Sequence, residues 1–118
     1  MMMQSAGKLA GCRIRNMARE DLGTVEEILI DVEDGQVMYA VFAFGGVLGI
    51  GSKLFAVPWE GLSFDEGRRE FILDVERELF EQAPGLDPRH WPDMSDPVWI
   101  ADLYRFYGRE PAAPRAAG

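Results

Sequence analysis

The chain has 118 residues and a net charge of −8, a size that predicts one domain with its own hydrophobic core. Its single cysteine, Cys12, excludes an internal disulfide and a metal site built from several cysteines. No apolar run reaches the ~20 residues that cross a bilayer, and the first residues lack the charged and apolar regions of a secretion signal. These features predict a cytoplasmic protein with no membrane span.

The charge is unevenly distributed along the chain. Residues 1–19 contain four basic residues and no acid, whereas the remainder contains 8 basic and 20 acidic residues. An acidic surface of this kind repels nucleic acid, so direct nucleic-acid binding is not predicted. The basic first segment is predicted to carry solvated arginines at a strand edge, with a nucleic-acid-binding arm and attraction to the acidic body of a second subunit as alternatives.

The first half of the chain is predicted to be β. Residues 1–8 are predicted to be disordered and residues 9–16 to form the first strand. Residues 24–32 alternate in the manner of a strand, and two adjacent glutamates interrupt the alternation as a bulge or an exposed end would. Asp34 and Gly35 form the dipeptide that favours a two-residue type I′ hairpin turn.

The return strand, residues 36–44, carries apolar side chains on both faces, which is typical of a central strand that is covered twice. The barrel interior is predicted to cover one face, and a helix or a second subunit the other. The following loop, GGVLGIG at 45–51, only superficially resembles a phosphate-binding loop. Its lysine follows the serine, and a strand follows the loop instead of a helix.

The second half combines short β and helical segments. A strand at 53–57 is followed by a hairpin across residues 66–68, helical turns at 76–83 and an irregular segment up to residue 93. Ser95 or Asp96 is predicted to cap a last helix that has Pro97 in its first turn. His90 is the only histidine, and it is predicted to be a surface or turn-stabilising residue because no partner for catalysis or metal binding lies close in sequence.

Seven short motifs occur along the chain in a fixed order: GCRIRN (11–16), LG (22–23), ID (30–31), DG (34–35), YAV (39–41), FGG (44–46) and KLFAVPW (53–59). Together they resemble the PRC-barrel domain, a family named for the cytoplasmic domain of the photosynthetic reaction-centre H subunit. A similar barrel forms the C-terminal half of a ribosome-maturation factor. Two positions depart from the family pattern: Arg19 stands where glycine is common, and Ser52 where aspartate is common.

The resemblance implies a mainly β fold, a small PRC-type barrel of about five to six strands with one or two short helices in a C-terminal extension. The barrel is predicted over residues 9–82, the extension over 83–108 and a flexible tail over 109–118. The implied function is a non-catalytic interaction or scaffold module without cofactor or metal, acting as a homodimer or docking on a larger protein. Two alternatives stay open: a ribosome-linked factor that binds a basic ribosomal protein, and a small-ligand or quinone-associated carrier.

The predicted contact surface consists of apolar residues from the glycine-rich loop, the return strand and the extension. On the loop, the side chains are predicted either to pack over an open barrel end or to contact another molecule. The tryptophans are predicted to be mostly core, with an exposed remainder available for protein contact. The candidate contact residues are Val47, Leu48, Ile50, Met38, Phe42, Trp91 and Trp99.

Overall fold

The computed structural model describes residues 1–45 and 52–109. Strands dominate this part of the chain, and only the last helix is longer than about one turn. None of the helices described is long and apolar enough to cross a membrane. In chain order the elements are α1 (Ala6–Leu9), β1 (Arg13–Arg15), β2 (Asp21–Asp31), β3 (Gln36–Phe44), β4 (Lys53–Pro58), a 3-10 turn (Trp59–Gly61), β5 (Leu62–Asp65), β6 (Glu70–Leu73), α2 (Glu78–Gln82) and α3 (Pro97–Phe106).

The six strands form one sheet in the order β4-β3-β2-β1-β6-β5. All neighbours are antiparallel except β1 and β6, which run parallel. The sheet curls into a half-barrel, so the predicted mainly β barrel of five to six strands is confirmed. The predicted second hairpin is also confirmed, since β5 pairs with β6 from Leu62 opposite Leu73 to Asp65 opposite Glu70.

The long hairpin of β2 and β3 contains two irregularities. The register shifts between Val25 and Glu27, which makes Glu26 a bulge and explains the interrupted alternation in the sequence. A second shift follows: Leu29 pairs with Tyr39 and Ile30 with Val37, so β3 carries one extra residue at this point.

The turn of this hairpin differs from the two-residue type I′ turn predicted from the sequence. Asp31 pairs with Gln36, which leaves a four-residue loop between the strands. Only Gly35 in this loop has a positive φ, 77°, whereas a type I′ turn requires it at both central residues. The Gly35 amide donates to the Asp31 carbonyl at 2.7 Å, and the Glu33 amide donates to the Asp31 side chain at 3.0 Å. Asp31 thus favours the longer loop.

The N-terminal segment also differs from the prediction. Residues 6–9 form the short helix α1, and Leu9 is buried in the core. The predictions of disorder at residues 6–8 and of a strand that begins at residue 9 were therefore wrong. The Cys12 amide bonds back to the Leu9 carbonyl at 3.1 Å, and β1 begins only at Arg13. After β1, Arg19 adopts φ 65°, a left-handed conformation in which glycine costs least. This explains why glycine suits the position in the family pattern.

Aromatic rings fill the interior of the half-barrel. Phe80 of α2 is fully buried, and its ring centroid lies 5.2 Å from that of Phe42, 5.5 Å from that of Phe44 and 4.9 Å from that of Phe55. The spacing is that of directly packed aromatic pairs. A side chain from α2 therefore fills the space enclosed by β3 and β4.

The C-terminal extension covers the other face of β3. Trp99 of α3 packs edge-on against Tyr39 with centroids 5.5 Å apart, and the Tyr39 hydroxyl donates to the Met94 carbonyl at 3.2 Å. Helix α3 begins as predicted, because the Asp96 side chain accepts from the Val98 amide at 2.9 Å. Of the two predicted covers for β3, a helix or a second subunit, the helix covers Tyr39.

Candidate functional site

Lys53, the lysine of the phosphate-loop-like motif, is engaged by the main chain. Its ammonium donates to the carbonyls of Phe80, Glu81 and Ala83 at 2.6, 3.1 and 2.7 Å. These carbonyls lie at the C-terminal end of α2, where backbone acceptors have no partner within the helix. All three ammonium protons are therefore used to cap α2, which agrees with the rejection of a phosphate-binding role.

The four described residues of the predicted contact surface lie in different surroundings. Phe42 is fully buried in the core, which corrects its predicted surface position. Met38 is partly buried at the extra residue of β3, Trp99 is partly buried against Tyr39, and Trp91 is 39% exposed in the extension. The three loop residues of the prediction, Val47, Leu48 and Ile50, lie outside the described residues.

The basic N-terminal segment pairs with acids of its own chain. Arg13 contacts Asp21 at 2.6 Å, while Arg15 and Arg19 contact the two oxygens of Glu70 at 3.0 and 2.5 Å. Glu70 is buried, and the hydrogen bond from Arg19 is the main reason that its pKa lies below the usual value. These three arginines are thus neither simply solvated nor unpaired charges available to a second subunit.

The edge of the sheet at β4 is partly covered by the C-terminal extension. The Leu54 carbonyl accepts from the Leu86 amide at 2.7 Å, and the Ala56 carbonyl accepts from the Tyr107 hydroxyl at 2.5 Å. Pro58 has no amide proton to offer. The extension therefore occupies two of the carbonyls through which β4 could have paired with a second chain.

The distal end of the β2–β3 hairpin is exposed. It comprises residues 30–37 and is called the hairpin end below. Ile30 is 47% exposed and Val32 is 89% exposed. The register shift between Leu29 and Ile30 adds its extra residue to β3, so the alternation along β2 continues. Ile30 therefore lies on the same face as Ile28, which packs on the core. The sequence signal was present in the alternation of Ile28, Ile30 and Val32, but a pattern cannot tell where the covering core ends.

Neither the acidic groove near Glu20 nor His90 forms a recognisable binding or catalytic site with other described residues. A shallow groove is lined by the carboxylates of Glu20, Asp74, Glu76 and Glu78. Within the described part of the chain, however, no three His, Cys, Asp or Glu side chains group closely enough to hold a metal ion. His90 is exposed, and its Nδ1 lies 3.1 Å from Asp87 in a turn, as the sequence predicted.

A small cavity lies beside the 3-10 turn at the end of the barrel. It has a volume of about 110 Å³ and is lined by residues that include Val57, Gly61, Leu73 and Tyr107. Small-molecule sites usually measure ~300–1,000 Å³. This cavity is below the size of a typical ligand site.

Comparison with known proteins identifies the family of the chain. The model of the PRC-barrel domain matches residues 2–80. Among solved structures, a protein assigned to 16S ribosomal RNA processing, RimM from Pseudomonas aeruginosa, is similar with a TM-score of 0.44 and 16% identity. That match covers 64% of this chain and 45% of the other, so it spans less than half of that protein. No curated protein matches. Because the family model covers most of the chain, the chain belongs to the PRC-barrel domain family.

Proposed function

We propose that the chain is a non-catalytic protein-interaction module that docks on a larger protein through the hairpin end. The observation that carries the proposal is the exposure of Ile30 and Val32, 47% and 89%, on a hairpin whose other end lies in a closed aromatic core. Isolated exposed apolar residues are common on proteins. Here Ile30 lies at the end of β2 and Val32 follows in the turn, so the two exposed side chains lie close together at one end of the hairpin, which favours a contact role.

Docking is preferred to self-association for two reasons. The apolar face of β3 that pointed to a homodimer is covered at Tyr39 by Trp99, and the β4 edge is occupied by the extension. The basic segment that pointed to the acidic body of a second subunit already holds Asp21 and Glu70. Sedimentation across a range of concentrations tests this choice: docking on another protein predicts a monomer, and a stable dimer would reverse the preference.

Docking is also preferred to the carriage of a small ligand or quinone. Phe80 fills the space between β3 and β4, and the cavity beside Gly61 and the apolar groove at Phe55 measure about 110 and 220 Å³. The groove of about 530 Å³ has four carboxylates in its lining, which do not suit an apolar ligand. A ribosome-linked role remains the alternative. Its support is the acidic charge from residue 20 onward, which suits a basic ribosomal protein as partner.

Affinity purification from the native cell tests the docking role when it is combined with a matched variant. The substitutions Ile30→Ser and Val32→Ser remove the exposed apolar surface at the hairpin end, and Val98→Ser removes a comparable side chain, 68% exposed, from α3. We expect a defined partner to bind the wild type and the Val98→Ser variant, and to be lost from the hairpin variant. Equal retention by all three, with unchanged melting temperatures, would refute the hairpin end as the docking surface.

A further inference from the structure

The hairpin end has a fixed shape before any partner binds. The Asp31 side chain accepts from the Glu33 amide and the Asp34 side chain accepts from the Gln36 amide, both at 3.0 Å. The Gly35 amide closes the loop onto the Asp31 carbonyl. These bonds stabilise the main chain of the loop that carries the exposed Val32. A preorganised element of this kind loses little conformational entropy when it docks.

The charge around the hairpin end is of one sign. From Glu20 to Ser52 the chain has seven acidic residues and no lysine, arginine or histidine. Among the described residues, Glu26, Glu27, Asp31 and Glu33 form no ion pair, whereas Asp21 at the base of the hairpin pairs with Arg13. Ile30 and Val32 are therefore adjacent in sequence to carboxylates, Asp31 and Glu33, that form no ion pair with another described residue.

This charge selects among the possible occupants. A second copy docking through the same surface would bring like charges together within about one Debye length, ~10 Å, which is repulsive. Nucleic acid is repelled for the same reason. A polypeptide segment that combines lysine or arginine with apolar side chains complements both features of the hairpin end.

We propose that the hairpin end recognises a basic, apolar segment of another protein, with Ile30 and Val32 supplying the apolar contact and the surrounding carboxylates selecting for positive charge. This inference rests on the proposed docking function and names the class of its partner. Burial of the apolar side chains supplies most of the affinity. The carboxylates supply specificity and accelerate association.

Titration of the isotope-labelled chain with synthetic peptides, followed by amide chemical shifts, tests the proposal. The probe is a short peptide that alternates arginine and leucine. One control peptide replaces each arginine with glutamate, and another replaces each leucine with serine. We expect shifts confined to residues 26–38 with the arginine–leucine peptide, at least about tenfold weaker binding of both controls, and a loss of affinity when salt is raised.

Matched variants separate local charge from net charge. Glu27→Lys with Glu33→Lys reverses two carboxylates at the hairpin, and Glu66→Lys with Glu76→Lys reverses two exposed carboxylates elsewhere. We expect the hairpin pair to weaken binding about tenfold and the distant pair to change it by less than about threefold.

The outcomes distinguish the inference from the function on which it rests. Shifts at residues 26–38 with the glutamate and arginine peptides alike would overturn the selection for positive charge while leaving the hairpin end as a docking surface. Shifts at these residues that depend on protein concentration, without peptide, would instead identify a second copy as the occupant. Shifts located elsewhere, or none with any peptide, would refute the hairpin end altogether.

Discussion

Tyr39 and Val37 are close neighbours on β3, yet their surroundings differ. Tyr39 lies under Trp99, and its hydroxyl is bonded to the extension. Val37 pairs with Ile30, which is 47% exposed, at the end of the hairpin. In the closed region, from Tyr39 to α2 and α3, aromatic rings and buried carbonyls have partners within the chain. At the hairpin end, apolar side chains and carboxylates remain exposed, and this difference indicates where an external partner would bind.

Phe80→Ala tests the closed region most severely. The Phe80 ring packs α2 against Phe42, Phe44 and Phe55 of the sheet. The substitution removes this contact and leaves a cavity in its place. We expect the free energy of unfolding to fall by about 3–5 kcal/mol in chemical denaturation. The matched change at the hairpin end, Val32→Ala, should lower it by less than about 0.5 kcal/mol. Similar losses for both variants would remove the distinction between the two regions.

Lys53→Met should have the next largest effect. The substitution keeps an unbranched side chain against Phe44 and Phe55 but leaves three carbonyls at the end of α2 without their donor. Hydrogen bonds from charged groups are worth ~1.5–3 kcal/mol, so we expect a loss of about 2–3 kcal/mol in the free energy of unfolding.

The other lysine provides the control for Lys53. Lys8 is exposed on α1, and Lys8→Met should change the free energy of unfolding by less than about 0.5 kcal/mol. If Lys53→Met were as neutral as Lys8→Met, water would replace the ammonium at these carbonyls, and the cap would contribute nothing to stability.

The sequence predicted features that lie within one element better than it predicted contacts between distant elements. The Asp96 cap followed by Pro97 identified the start of α3, and the interrupted alternation at Glu26 indicated the bulge. The length of the hairpin turn depended instead on the register set by the extra residue of β3. The partners of Lys53 lie 27 to 30 positions away, a distance over which no local pattern operates.

Trp99→Ala should uncover Tyr39 and reduce stability by about 2 kcal/mol, because Trp99 is only partly buried. The substitution should also change the ionisation of the Tyr39 phenol, which is the more specific test. Burial raises the pKa of Tyr39 above its ordinary 10.0, and the exposed phenol should ionise closer to that value. Ultraviolet difference absorbance measures this change.

Two variants assign the ionisation to Tyr39. Adding Tyr39→Phe to the Trp99→Ala variant should abolish the shifted transition, since the remaining tyrosines, Tyr104 and Tyr107, are also held above their ordinary pKa by burial. Trp91→Ala, at a more exposed tryptophan, should leave the tyrosine titration unchanged. A shift of the same size in the Trp91→Ala variant would show that Trp99 is not the cover of Tyr39.

The smallest expected effect is on the pH dependence of stability, and it compares the paired carboxylate of Glu70 with that of Glu33 at the hairpin end. Arg19, with a further contribution from Arg15, holds the pKa of Glu70 below its ordinary value of 4.5. A carboxyl whose pKa is lowered by folding contributes stability above the ordinary value, and this contribution is lost as the pH falls through the lowered folded value. Glu70→Gln should therefore reduce stability at neutral pH and flatten its decline in acid, as measured by urea denaturation across the acidic range.

Glu33→Gln is the matched change at the hairpin end, where the carboxylate forms no ion pair with another described residue. This variant should weaken the binding of the basic peptide without the loss of stability at neutral pH that is expected for Glu70→Gln. An equal flattening in both variants would show that the acid sensitivity reflects net charge and not the Glu70 pair. A flattening confined to Glu70→Gln would place the stabilising electrostatics at the pairs of Glu70 with Arg15 and Arg19 and leave the charge of the hairpin end available for recognition.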